Sequence, residues 1–258
     1  YAQDNVSGIF AESVSYVYIK NCLANGSKCN VYNATESWGD CIGAFQCNHV
    51  IIESCEVRNS HREALMTRFC DQVFIYNCQG YDSGYGHSNI GTSGGDVAII
   101  SGCYSNNSGA TGITMNNHTS IVTNCIVESN RVFNGILIGH SHEVEAYSGS
   151  CMVADCIVRN SAGNGITIDK PLRAIVSNNV VESAGTSGAA SGNGILVNNP
   201  QDNAQVNISS NDVFTTSAAG IYVATQTGNG YDLILSGNNV KAASLHGIRV
   251  DNNKSTKI

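Results

Sequence analysis

Proline, tryptophan and charged residues are all scarce in this sequence. Its 258 residues include 2 Pro and 1 Trp, and 13% of the residues are charged, with a net charge of −7. Because Lys and Arg form no basic cluster, neither nucleic acid nor an anionic membrane surface is expected as a partner. No apolar run is long enough to span a bilayer, so a membrane-spanning helix is not expected either.

The cysteines lack the spacing of a metal site. There are 11 Cys, but no CxxC pair and no Cys/His zinc pattern occurs, so neither a metal nor another cofactor is expected. One run, 139-GHSHEVEAYSGS-150, gathers His140, His142, Glu143 and Glu145. These side chains could ligate a divalent cation, but we favour a solvated loop.

Glycine, by contrast, is abundant, with 27 residues, and most of it falls into two recurring units. The first unit is a β-branched run that ends in Cys or Asn, as in IKNC, IESC, VTNC and VSNN. Its last residues are Cys22, Cys55, Cys78, Cys103, Cys125, Cys156, Asn179, Asn211 and Asn238. The second is a Gly followed by alternating apolar residues, as in GITM and GILV, with glycines at Gly8, Gly112, Gly135, Gly165, Gly194, Gly220 and Gly247.

Each repeat of about 22 to 25 residues, with insertions, therefore contains at least two short strands of period-2 alternation, separated by polar corners. No helical pattern intervenes. This predicts an all-β fold, a right-handed parallel β-helix of nine to ten coils, as a single domain over residues 1–258. The Cys and Asn residues should then stack as a ladder at one corner, with buried thiols that have no redox role.

The two units resemble those of the right-handed β-helix superfamily, which includes pectate lyases, polygalacturonases, alginate lyases and epimerases, and phage tailspikes. The resemblance covers nearly the whole chain but rests on scaffold motifs. It implies a polysaccharide or oligosaccharide as partner and an extracellular or virion-associated protein. A homotrimer or larger assembly that covers the ends of the helix is also expected, with the chain as part of something larger.

Three stretches align with the glycine-led strands but lack the glycine: 40-DCIGAF-45, 63-EALMTR-68 and 87-HSNIGT-92. In this alignment Asp40, Glu63 and His87 occupy the glycine column on three consecutive coils. Alternation places that column on the outer face, where Asp40 and Glu63 would have Cα atoms about 5 Å apart. The inward positions would be Cys41 and Gly43, Ala64 and Met66, and Ser88 and Ile90.

Paired carboxylates are the groups that glycoside hydrolases use as general acid and as nucleophile or base. We therefore expect Asp40, Glu63 and His87 to be catalytic. Charged and aromatic residues around them are predicted to bind substrate: Trp38, His61, Arg62, Arg68, Asp82 and Tyr85. The alternative is that Asp, Glu and His in this column are ordinary solvated residues.

The run 39-GDCIGAFQCNHVIIESC-55 resembles a polygalacturonase segment in which Asp40 would match a catalytic aspartate, although Gly39 stands where that family has a second one. Lyases and epimerases use Arg or Lys against a uronate carboxylate and a nearby base, which are roles open to His61, Arg62, Arg68 and Tyr85. A hydrolase is favoured over a lyase or epimerase. A non-catalytic glycan-binding module and a purely structural solenoid are the other hypotheses.

Overall fold

Three parallel sheets run the length of the molecule. The computed structural model describes residues 8–26, 40–84, 86–139, 149–186, 192–224, 230–251 and 255–257, and in these residues 29 strands, numbered in chain order, form two sheets of ten strands and one of nine. Sheet A contains β1 (Ile9–Glu12), β4 (Ile42–Phe45), β7 (Leu65–Arg68), β10 (Ile90–Ser93), β13 (Ile113–Asn116), β16 (Ile136–Ile138), β19 (Ile166–Asp169), β22 (Ile195–Asn198), β25 (Ala219–Ala224) and β28 (His246–Val250).

Sheets B and C complete each coil, so that the chain passes through A, B and C in turn. Sheet B contains β2 (Tyr16–Lys20), β5 (His49–Glu53), β8 (Gln72–Tyr76), β11 (Val97–Ser101), β14 (Thr119–Thr123), β17 (Ser150–Ala154), β20 (Arg173–Ser177), β23 (Gln205–Ser209), β26 (Asp232–Ser236) and β29 (Ser255–Lys257). Sheet C contains β3 (Leu23–Asn25), β6 (Glu56–Arg58), β9 (Gln79–Tyr81), β12 (Tyr104–Asn106), β15 (Ile126–Asn130), β18 (Ile157–Ser161), β21 (Val180–Ala184), β24 (Asp212–Thr216) and β27 (Asn239–Ala243). The predicted β-helix of nine to ten coils is confirmed.

Aliphatic ladders fill the space between the sheets. In sheet A the first inward position is Ile or Leu in every coil, for example Ile42, Leu65 and Ile90, which are fully buried and in register with one another. Because parallel coils stack at about 4.8 Å, like side chains lie directly above one another and exclude water along the whole axis.

The Cys/Asn ladder is confirmed at the corner between sheets B and C. The thiols of Cys55, Cys78 and Cys125 donate to the carbonyl two residues earlier, at 3.4, 3.3 and 3.2 Å. Farther along, the Nδ2 of Asn179 donates to the Oδ1 of Asn211 at 3.0 Å, so the amides continue the ladder. The described cysteines, ten in number, are free thiols.

The glycine column does not face solvent, and that prediction is wrong. A Cβ on Gly112 would lie 2.2 Å from Cγ1 of Val127, the inward valine of β15 in the same coil. The same 2.2 Å clash would bring Gly135 against Val158. Glycine is therefore required because the valine of sheet C occupies the place of its side chain.

The register predicted for the early coils is also wrong, by one residue for Asp40 and Glu63 and by two for His87. Ile9 pairs with Ile42, Ile42 with Leu65 and Leu65 with Ile90. The residues that take the glycine position are thus Cys41, Ala64 and Asn89. The inward pairs are Ile42/Ala44, Leu65/Thr67 and Ile90/Thr92 rather than those expected, and of these only Ile90 was assigned correctly.

Two of these coils fit a larger residue because sheet C gives way. Opposite Ala64 the valine position is Gly80, and opposite Asn89 it is Ser105, whose hydroxyl accepts a hydrogen bond from Asn89 Nδ2 at 3.1 Å. Asn89 is fully buried and also donates to the carbonyls of Gly80 and Asn106. Among the described residues, none lies in a helix that could cross a membrane.

Candidate active site on sheet A

The corner between sheets C and A brings together the charged residues that precede β4 and β7. Asp40 lies two residues before Ile42, and Glu63 lies two residues before Leu65, so the two occupy equivalent positions on adjacent coils. His87 lies in the corresponding turn of the next coil, three residues before Ile90. The prediction that these three residues come from neighbouring coils therefore holds, although the column that they occupy is not the glycine column.

Later coils show what this position normally holds. Asn134, Asn164 and Asn193 are its equivalents, and they form an amide ladder. The Oδ1 of Asn134 accepts from the Nδ2 of Asn164 at 3.1 Å, and the Oδ1 of Asn164 accepts from the Nδ2 of Asn193 at 3.0 Å. A carboxylate cannot donate, so Asp40 and Glu63 cannot form this ladder unaided.

Arg68 supplies the missing donors. Its side chain lies on the outer face at the end of β7, and its Nη1 donates to Asp40 Oδ2 at 2.7 Å, while its Nη2 donates to Glu63 Oε2 at 3.1 Å. The Arg68 side chain is 3% exposed and that of Asp40 is 0% exposed. One guanidinium therefore bridges two carboxyl groups on adjacent coils, in a site closed to solvent on the Asp40 side.

Glu63 connects this buried pair to the surface. Its Oε1 lies 3.2 Å from His87 Nδ1, and its Oε2 lies 3.5 Å from Arg62 Nε. The side chains of Glu63 and His87 are 14% and 17% exposed, so they present the open side of the cluster. With Glu63 ionised, His87 Nδ1–H is the donor, which leaves Nε2 as the unprotonated ring nitrogen.

The two carboxyl groups differ in proton affinity. Burial raises the pKa of Asp40 to about 8, and the nearby charge of Glu63 acts in the same direction, while Arg68 opposes both. Burial also acts to raise the pKa of Glu63, but the hydrogen bond to His87 and the charges of Arg68 and Arg62 outweigh it and hold that pKa below its usual range. At neutral pH, Asp40 therefore holds a proton and Glu63 is ionised.

Apolar side chains surround this charged cluster. Met66 lies over Gly91, where a Cβ would be 2.5 Å from the Met66 sulfur, and Phe10 lies in the same way over Gly43. Phe45 is the direct sheet neighbour of Arg68. These outward positions were not predicted as site residues, but alternation from the correct register would have found them, since they lie beside Arg68 and Met66 on the same face.

The structure places the other predicted residues less centrally. His61 is exposed in the turn before Glu63. Asp82 is half-buried and accepts from Asn107 Nδ2 at 2.6 Å, on the sheet C side of the corner. Trp38 and Tyr85, together with His140, His142, Glu143 and Glu145 of the candidate loop, lie outside the described residues. Within the described ranges, no group of three or more His, Cys, Asp or Glu side chains is arranged to hold a metal ion.

The comparisons with known proteins agree with this architecture. The family model described as "Right handed beta helix region" matches residues 40–199, which is more than half of the chain. The search of curated proteins found no match to the sequence.

Several solved structures share the fold. The catalytic domain of a GH87 α-1,3-glucanase in complex with nigerose superposes with a TM-score of 0.55 at 11% identity, over 93% of this chain and 54% of that one. A periplasmic alginate epimerase gives 0.55 at 14% identity, over 95% and 68% of the two chains. The A-module of a mannuronan C-5 epimerase from Azotobacter vinelandii gives 0.54 at 11% identity, over 96% and 80%. The chain thus spans about half the length of the glucanase domain, and at these identities the likeness shows the fold alone.

Proposed function

The chain belongs to the right-handed β-helix family, and from this premise we propose that it is an enzyme that acts on a polysaccharide at the Asp40–Arg68–Glu63–His87 cluster. The observation that carries the proposal is that Arg68 bridges a buried carboxyl group and a partly exposed carboxylate, and that this carboxylate orients a partly exposed histidine. A perturbed pair of carboxyl groups beside a histidine is typical of catalytic sites. The names of the glucanase and the two epimerases support a saccharide as substrate.

Proton abstraction from a uronate sugar is the reaction that this geometry supports best. His87, held by Glu63 through Nδ1, presents Nε2 as the general base. The guanidinium of Arg62, next to Glu63, is placed to neutralise a sugar carboxylate at the open side. The product is an unsaturated sugar if the glycosidic oxygen leaves, or an epimer if a proton returns to the other face.

Hydrolysis is the second candidate, favoured by the different protonation of the two carboxyl groups. Asp40 holds the proton that a general acid needs, and Glu63 is the ionised partner. Two carboxyl groups on one guanidinium lie about 5 Å apart, which is the separation that retaining glycosidases use. In this structure, however, Asp40 has no exposed surface, so a substrate would reach it only after Arg68 moves.

A polysaccharide panel tests the proposal. Alginate, polygalacturonate and an α-1,3-glucan are incubated with the protein, and reducing ends, absorbance of unsaturated uronate and the C5 configuration by NMR are measured. Absorbance together with new ends indicates a lyase, inverted C5 without new ends an epimerase, and new ends alone a hydrolase. Binding without any of these changes would overturn the enzymatic proposal and favour a glycan-binding module.

Glu63→Gln and His87→Asn should each lower the detected rate by about 10²- to 10⁴-fold, since each removes a group that transfers or orients a proton. Glu182→Gln, a change on the outer face of sheet C, is the matched control and should retain full rate. If Asp40→Asn abolishes activity as fully as Glu63→Gln while the fold persists, hydrolysis gains over proton abstraction. Full activity in the Glu63→Gln variant would remove this cluster from the mechanism.

A further inference from the structure

An aromatic residue occupies a corner position that the fold otherwise gives to polar residues or glycine. Phe69 follows β7 directly and has a φ of 54°, in the left-handed region, which a bulky side chain rarely adopts. Its backbone N–H donates to the carbonyl of Ser93 on the next coil. The other residues with positive φ at this corner between sheets A and B are Ser13, Gln46, Gly94, Lys170 and Asn199.

The Phe69 ring is held in place although much of it is exposed. It meets Phe45 edge to face, with ring centroids 5.6 Å apart and an interplanar angle of 89°. It lies over Gly94, where a Cβ would be 2.9 Å from Phe69 Cδ1, so any larger residue would displace the ring. Phe69 is 42% exposed.

This arrangement does not serve the stability of the fold. A left-handed backbone disfavours phenylalanine relative to Asn or Gly, and exposing the ring forfeits much of the gain from burial. Strained residues with exposed side chains recur at ligand sites, where the ligand supplies the missing contact. The ring also lies next to Arg68 in the chain, and Phe45 pairs with Arg68 in the sheet.

We propose that Phe69 and Phe45 form a stacking subsite for one pyranose ring of the substrate. A pyranose has an apolar face of C–H groups and an edge of hydroxyl or carboxylate oxygens. The apolar face would pack on the exposed Phe69 ring, and the oxygens would face the open Glu63–His87 side of the cluster. This subsite rests on the proposed function for its substrate class, but it can be tested by binding alone.

The test uses Phe69→Asn, since asparagine tolerates the left-handed backbone and should not lower the melting temperature. Oligosaccharides of alginate, polygalacturonate and α-1,3-glucan are titrated by calorimetry and by saturation-transfer NMR. For the probe that the wild type binds, Kd should rise about five- to tenfold, and in turnover assays the loss should fall in KM rather than in kcat. Leu172→Asn, at an exposed apolar residue of the same corner farther along the helix, should leave Kd unchanged.

Phe69→Leu separates stacking from apolar bulk, since leucine keeps the volume in the same strained backbone but lacks the flat face. If Phe69→Leu binds as tightly as the wild type, or if Phe69→Asn leaves Kd unchanged, the stacking subsite is wrong even where activity is found. Binding that weakens in Phe69→Asn without any turnover would support the subsite while overturning the enzymatic proposal. If none of the probes binds, the subsite is overturned as well.

Discussion

Asp40 and Glu63 occupy equivalent positions on adjacent coils, and a single guanidinium joins them. Arg68 donates to Asp40 at 2.7 Å and to Glu63 at 3.1 Å, where the same position in later coils forms an asparagine ladder. A ladder position that needs a donor in every coil has here been given two acceptors and one external donor. The stability of this corner therefore depends on Arg68.

Replacing Arg68 with Met should destabilise the protein by about 3–5 kcal/mol, because two buried carboxyl groups would lose a shared charged donor. Arg68→Lys should recover part of the loss, since an ammonium can pair with one carboxylate but lacks the planar fork that bridges two. Urea denaturation measures both. The control is Arg159→Met, which removes exposed ion pairs to Glu128 and Glu182 and should cost less than about 1 kcal/mol. Equal losses for Arg68→Met and the control would contradict the bridging role.

Stability should fall as pH rises from about 4 to 8. The pKa of Asp40 is raised from 3.8 to about 8, so between these values the folded protein holds a proton that the unfolded chain has released. The slope from this one group is at most about 1.4 kcal/mol per pH unit. The lowered pKa of Glu63 acts oppositely, giving stability that is present above its unfolded pKa and lost only in acid.

Asp40→Asn isolates this effect, because it removes the titrating group while keeping the histidines common to both proteins. The free energy of unfolding, measured by urea at pH 5, 6, 7 and 8, should decline less steeply in the variant than in the wild type. Parallel curves would show that Asp40 is ionised throughout this range.

Asn164→Asp should reproduce, without its compensating arginine, the situation at Asp40 and Glu63. The side-chain amide of Asn164 donates to Asn134 Oδ1 and to Thr167 Oγ1, and aspartate would place acceptors against both. We expect a loss of about 2–4 kcal/mol at neutral pH that shrinks in acid, as the carboxyl group gains a proton. Asn203→Asp, in an exposed turn, is the control and should change stability by less than about 0.5 kcal/mol. A pH-independent loss at position 164 would argue against the missing donor as its cause.

Gly112 and Val127 should behave as a coupled pair. Gly112→Ala brings a methyl group to 2.2 Å from Val127 Cγ1 and should cost about 1–3 kcal/mol. Val127→Ala opens that space and leaves a cavity of its own. The double variant should be more stable than the sum of the single losses predicts, by roughly 1 kcal/mol. Rescue will be partial, because the carbonyl of Gly135 also lies 2.9 Å from the added methyl group. Strict additivity in thermal or urea unfolding would sink the steric account.

The sequence was enough to predict the coils, the aliphatic ladders and the Cys/Asn corner, because each repeats along the chain with a recognisable residue. It misplaced Asp40, Glu63 and His87 because Cys41, Ala64 and Asn89 take the glycine position without resembling glycine. Those exchanges depend on Gly80 and Ser105 of sheet C, whose relation to the column appears only once the coil is closed.

The bridging role of Arg68 could not be read from spacing either. It lies at the far end of β7 from Glu63, and its side chain must fold back over the outer face of the strand to meet two carboxyl groups. The nearness of Asp40 to Glu63 follows from the coil period, whereas the burial of Asp40 and the exposure of Phe69 depend on how side chains lie across the sheet.

The valine that displaces a side chain at Gly112 comes from the same turn of the solenoid, 15 positions later in the chain. Both halves of this steric fit would therefore be copied or deleted together if a gene segment encoding one turn were duplicated or lost. Such an event would lengthen or shorten the rod without creating a collision inside it, which gives this architecture a simple route to variation in length.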